Sequence, residues 1–257
     1  MTRKILKNKP ILEAIFELRW KLQEYVSRIK TDPHYKLIIG RLYDKLKDEY
    51  PFHEQLSAAA LPDEIAGYLV QHRFRKDKGK WPLVQIGPGI ITVNDTKGYA
   101  WEDFKGRIAQ TVNTLFEVYP ESKNSLEVNR LLLRYIDGIT FNFQKNNLFD
   151  FLEKQMKTKI NLYQHLFEDT GVEKLPLALD LKFSFASKEP KGAINLRFVR
   201  GKIKESDALI WETIVESIPE DTPKDQNRIT RWVEKAHSLA DDWFFKLIEG
   251  ELLRRFE

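Results

Sequence analysis

Cysteine is absent from the 257 residues. The chain therefore has no disulfide framework, no zinc-thiolate centre and no thiol nucleophile, and its composition suits a reducing compartment. Long apolar runs are missing too. The basic start MTRKILKNKP leads into apolar residues broken by Glu13, Glu17 and Arg19. Neither a signal-peptide core nor an apolar run of roughly 18 residues follows. The chain reads as soluble and cytoplasmic, with no membrane contact. Neither sign of charge dominates: 42 basic against 38 acidic residues leave a formal net charge of +4. So small an excess implies a nucleic acid only where it is concentrated.

Catalytic signatures are scarce in the same way. There is no GxxxxGK[ST] phosphate loop, GxGxxG fingerprint or GxSxG elbow. The five histidines, at 34, 53, 72, 165 and 237, show no HxH, HxxxH or HExxH spacing, so no zinc site built from nearby ligands is expected. Asp180-Leu181-Lys182 has the acid-x-lysine form of a metal-dependent nuclease strand. It lacks a second carboxylate to share the metal, and it falls on the polar face of an alternating strand. Gly87-Pro88-Gly89 reads as a hairpin turn. No catalytic residue, metal or cofactor is expected, and the chain reads as a non-enzyme.

What is present is a good core: 42% hydrophobic and 12% aromatic residues. Ile11 to Trp20 alternates, with Leu12, Ala14, Phe16, Leu18 and Trp20 on one face and Glu13, Glu17 and Arg19 on the other. Asp32-Pro33 reads as the cap of a helix running to about Tyr50, and residues 51–67 as irregular. Three short strands, 68–75, 81–86 and 90–94, precede a helix from Trp101 to Tyr119 that Pro120 ends. The central stretch, Leu126 to Phe143, is the most strand-like run. Leu131, Leu133, Tyr135, Ile139, Phe141 and Phe143 share one face, and Val128, Arg130, Leu132, Arg134 and Ile136 the other. Asp137-Gly138 within it fits either a bulge in one long strand or a two-residue hairpin turn. Short helices near 149–166 are followed by a strand with Leu177, Leu179, Leu181, Phe183 and Phe185 inward. Strands at 193–203 and 209–217 come next. A final helix carries Ile229, Trp232, Val233, Ala236, Ala240, Trp243, Phe244, Leu247 and Leu252; unbroken to Phe256 it would be about 50 Å long.

The order of elements repeats. Each half reads strand, helical insert, antiparallel three-stranded meander, long amphipathic helix. The fold class is α+β, as two similar units at 1–123 and 124–257 or as one continuous pseudo-twofold domain.

Two residue groups stand out as candidate sites. Arg130 and Arg134 share one face of the central strand, and partly buried arginines need acids or an anionic ligand. Glu13 and Glu17, four residues apart on the matching strand, have the charge to answer them, so the four mark a salt-bridged junction or a ligand site between the halves. Arg73, Arg75, Lys76, Lys78 and Lys80, beside Phe74 and Trp81, form a basic hairpin suited to phosphates and stacked bases. The favoured reading is an exposed edge guarded against aggregation by lysines, since no recognised nucleic-acid module surrounds it. Nucleic acid is thus a possible partner but not the favoured one. Arg197, Arg200, Lys202 and Lys204 make a second basic run.

The segments PILEAIFELRW (10–20), QIGPGIITVND with YAWEDF (85–95, 99–104) and RLLLRYIDGI (130–139) resemble a sporadically distributed family of uncharacterised bacterial proteins of about 250–270 residues. The similarity spans the first half and the central strand. The family's third motif more usually runs Arg-Tyr-Ile-Asn and then a non-glycine, from which Asp137-Gly138 departs. The resemblance implies a bacterial origin and no particular activity. The function expected is a non-catalytic protein-interaction or regulatory module of an accessory system such as phage defence or toxin–antitoxin, with a protein partner or as a homo-oligomer. The alternatives are a ligand-binding sensor with a cleft between its halves, and weak nucleic-acid binding through the basic hairpins.

Overall fold

A computed structural model of the protein describes residues 6–24, 30–96, 98–120 and 126–257. Its strands are β1 (Ile11–Trp20), β2 (Gln23–Glu24), β3 (Lys30–Thr31), β4 (Phe52–Gln55), β5 (His72–Arg75), β6 (Leu83–Gly87), β7 (Ile90–Asp95), β8 (Val128–Thr140), β9 (Asp180–Lys188), β10 (Lys191–Ile203) and β11 (Ser206–Glu216). Its helices are α1 (Tyr35–Leu46), α2 (Trp101–Val118), α3 (Leu148–Gln155), α4 (Gln226–Leu247) and α5 (Glu251–Arg254). β2 and β3 pair with each other; the other described strands form one antiparallel sheet in the order β4-β5-β6-β7-β1-β8-β11-β10-β9.

Alternation decides which face of the sheet is covered. Phe16, Leu18, Leu131 and Leu133 are fully buried against Ile38 and Leu42 of α1, Phe104 and Ile108 of α2, and Ile229 and Val233 of α4. Each such side chain removed from water contributes about 1.5–3 kcal/mol. The same sheet face continues into a second cluster, where Phe198 and Trp211 meet Leu148 and Leu152 of α3, Ile248, and Leu252 of α5. Among the described residues the helices of both clusters lie on this face, the α+β arrangement of a sheet with its helices on one side, and the opposite face carries the alternate residues. No helix among the described residues is long and apolar enough to cross a membrane.

The central stretch is one strand, not a hairpin. Asp137 and Gly138 lie inside β8, paired with Trp211 and Ile210 of β11. Gly138 serves packing: a Cβ there would meet Leu12 Cδ1 at 2.8 Å and Ile203 Cδ1 at 3.0 Å. The bulge sits across from it, on β1, where Ile11 pairs with Asp137 and Glu13 with Ile136, leaving Leu12 as the extra residue. An extra residue inverts the alternation beyond it. Leu12, expected inward, therefore lies over Gly138 on the outer face.

Four further expectations are corrected. The last helix does not run to Phe256: Gly250, at φ 107°, breaks it into α4 and α5. The strand after Pro176 begins only at Asp180, with Leu177 exposed, and Phe183 and Phe185 are 37% and 48% exposed because β9 is the sheet edge. Residues 51–67 are not all irregular, since Phe52–Gln55 forms the opposite edge strand. Asp32 precedes α1 without being its cap residue; it accepts hydrogen bonds from the Trp20 indole at 2.9 Å and the His34 backbone at 3.0 Å.

A candidate ligand pocket under the central strand pair

The bulge at Leu12 turns Ile11 toward the helices, beside its register partner Asp137. Both line a cavity of about 170 Å³ between sheet and helices. Pro10 continues its N-terminal wall, held by its carbonyl accepting from the Gly138 backbone at 3.0 Å. Tyr99 and Trp101, at the entry to α2, form a second wall. Ala240, Asp241, Phe244 and Phe245 come from α4, and Thr213 from β11. Most of this lining is apolar or aromatic, as small-molecule sites usually are.

A hydrogen-bonded relay borders the cavity. The Tyr99 and Tyr135 hydroxyls lie 3.1 Å apart, and the Tyr135 hydroxyl meets His237 Nδ1 at 2.8 Å. Trp101 stacks on the His237 imidazole with ring centroids 3.6 Å apart. Tyr135 and His237 are 8% and 5% exposed, so the relay lies largely out of water. Lys9 donates to the Tyr99 carbonyl at 2.6 Å.

Asp137 is different in kind. It is 4% exposed, and among the described residues its carboxyl has no hydrogen-bond or ion-pair partner. Burial alone pushes its pKa up to about 8, because a charged carboxylate loses its hydration there with nothing in exchange. A strongly perturbed acid in an apolar cavity makes this a candidate functional site.

The candidates read from the sequence lie elsewhere. Glu13, Glu17, Arg130 and Arg134 do come together, on the outer face of β1 and β8, but not as the pairs expected. Arg134 bonds Glu212 at 2.7 Å and Arg130 bonds Glu216 at 2.5 Å, both acids belonging to β11. Glu17 is taken by Arg19 at 2.7 Å, and Glu13 accepts from Asn94 at 2.8 Å. The two β1 acids are thus engaged on their own side of the sheet, which leaves β11 to answer the arginines. Arg130 and Asn195 hold the Glu216 carboxyl below the usual range even though burial pushes it up.

The basic hairpin is also partly internal. Arg75 is 6% exposed and bonds Glu54 at 2.9 Å and the Lys80 carbonyl at 2.9 Å, while Arg73 donates to Gln85 at 2.8 Å. Phe74, expected beside the basic surface, is fully buried. Lys76, Lys78 and Lys80 remain exposed at the turn, with Trp81 next to them. In the second run, Arg197 is held by Asp180 at 2.7 Å and Arg200 by the Pro176 carbonyl at 2.9 Å.

Asp137, Tyr135 and His237 are absent from the sequence-derived sites. A signal for the first was present: position 137 falls in the inward register of Leu131, Leu133 and Tyr135, where an acid is out of place. His237 likewise sits in the apolar stripe of α4 beside Val233, Ala236 and Ala240. No protein-family model matches the chain, and no curated protein matches it.

Proposed function

We propose that the protein is a non-catalytic regulatory module that binds a small molecule in the cavity under the Leu12 bulge. The observation that carries this reading is the buried, unpartnered Asp137 carboxyl on an apolar, aromatic-lined cavity. Burying a polar group without a partner costs free energy, and a ligand that satisfies it recovers that cost. The neighbouring Tyr135 hydroxyl and His237 imidazole are hydrogen-bonded to one another. We further read the chain as two similar units. Going outward from the centre, β1 is followed by β7, β6 and β5, and β8 by β11, β10 and β9. Each meander leads into a long helix, α2 or α4. The proposed boundary between residues 123 and 124 lies outside the described residues. In this reading the cavity is a cleft between the units, with β1 and the start of α2 on one side and β8, β11 and α4 on the other.

A thermal-shift screen of small fragments against wild type and Asp137→Asn tests the proposal. Binders should raise the wild-type melting temperature by roughly 2–4 °C per kcal/mol of binding linkage, with a smaller effect on the variant. Equal shifts in both proteins, or none in wild type, would count against it.

A second reading, a protein-docking module of a bacterial accessory system, draws support from the exposed aromatic pair Phe183 and Phe185 on edge strand β9. Light scattering separates it from the first where the partner is a second copy. A dimer dispersed by Phe185→Lys would support it, and a single-chain mass would oppose self-association through that edge.

A further inference from the structure

We propose that the ligand of this cavity is a small amine: an ammonium group set against Asp137, with a compact apolar or aromatic remainder. The inference rests on the pocket reading above and narrows it to a chemical class.

Three features of the cavity converge on a cation. First, the Asp137 carboxyl at the sheet floor has no partner among the described residues. Second, a further carboxyl, that of Asp241, lines the α4 wall. Third, the surrounding side chains include Tyr99, Trp101, Phe244 and Phe245, and aromatic faces attract cations through their quadrupoles. The remaining titratable groups on the packed elements are Lys9 from the N-terminal segment, Tyr99 before α2, Tyr135 on β8 and His237 on α4. Of these, Lys9 is turned to the Tyr99 carbonyl, and Tyr135 and His237 are bonded together.

Size sets a limit on the remainder. An apolar cavity of about 150 Å³ accepts a benzene-sized molecule, and this one measures about 170 Å³. One ring with a short arm fits; a peptide or a nucleotide does not.

Proton linkage gives the class a signature. An alkylamine stays protonated near neutrality, whereas the Asp137 carboxyl, with its pKa up at about 8, is mostly protonated at pH 7. Pairing with an ammonium therefore expels the Asp137 proton. Affinity should rise about tenfold per pH unit below about 8 and level off above it.

Calorimetric titration with 2-phenylethylamine, and with the neutral 2-phenylethanol and the acid 3-phenylpropionate as matched probes, tests the inference. Each is run at about pH 6, 7 and 8.5 on wild type and Asp137→Asn. The expected result is tightest binding of the amine, with the pH slope above, and loss of both preference and slope in the variant. Should the alcohol or the acid bind wild type as tightly as the amine, the amine class is wrong while the pocket reading stands. If no probe binds wild type at any pH, both fall together.

Discussion

Asp137 is the residue on which the chemistry turns, and its effect on stability has a defined sign. Its folded-state pKa of about 8 lies above the ordinary 3.8, so the folded protein keeps a proton that the unfolded chain gives up. Its contribution to stability is therefore fully present below pH ~4 and is lost as pH rises toward ~8, at roughly 1.4 kcal/mol per pH unit. Asn cannot ionise. Urea unfolding of Asp137→Asn should show little change near pH 4 and clear stabilisation near pH 8; parallel pH curves for the two proteins would contradict the burial argument. Tyr135→Phe removes the hydroxyl shared by Tyr99 and His237 and should cost about 1–3 kcal/mol in the same assay.

Among the elements, the strands show most clearly what a sequence reveals. The bounds of β1 and the faces of Glu13 to Trp20 were legible because alternation is unbroken there, and α2 because one apolar stripe runs its length. What alternation cannot reveal is an interruption on a neighbouring strand. The Leu12 bulge depends on Gly138 of β8, which makes room for Leu12 and Ile203, and that contact joins residues far apart in sequence. The cavity follows from the same bulge, which is why its lining was missed even though Asp137 occupied an inward position. Ion pairing was illegible for a related reason: β8 has an acid-bearing strand on each side, and only the assembled sheet decides which one pairs. Glu212→Ala, which strips Arg134 of its 2.7 Å partner and Arg197 of a 3.6 Å one, should cost about 1.5–3 kcal/mol. Glu13→Ala should leave that pairing intact. At the other end of the chain, Gly250 holds a φ of 107° that side chains resist. Gly250→Ala should lower stability by about 1–3 kcal/mol, read as a shift of the urea midpoint.

At the scale of the whole molecule, α4 ties the parts together. Its first turns pack Ile229, Trp232 and Val233 on the core above β8 and β11, and its last turns carry Trp243 into contact with both hydrophobic clusters. The cavity opens where α4 passes from one cluster to the other, between Ala240 and Phe245. A ligand there would touch the sheet, the start of α2 and α4, which among the described residues is common to both clusters, the placement a sensor needs to couple occupancy to the whole core. The most direct test is an NMR titration of the Asp137 side-chain carboxyl, in the free protein and with saturating 2-phenylethylamine. The account predicts a midpoint near 8 in the free protein and a markedly lower one with the amine bound. A midpoint near the ordinary carboxylate value in the free protein, unmoved by the amine, would contradict it.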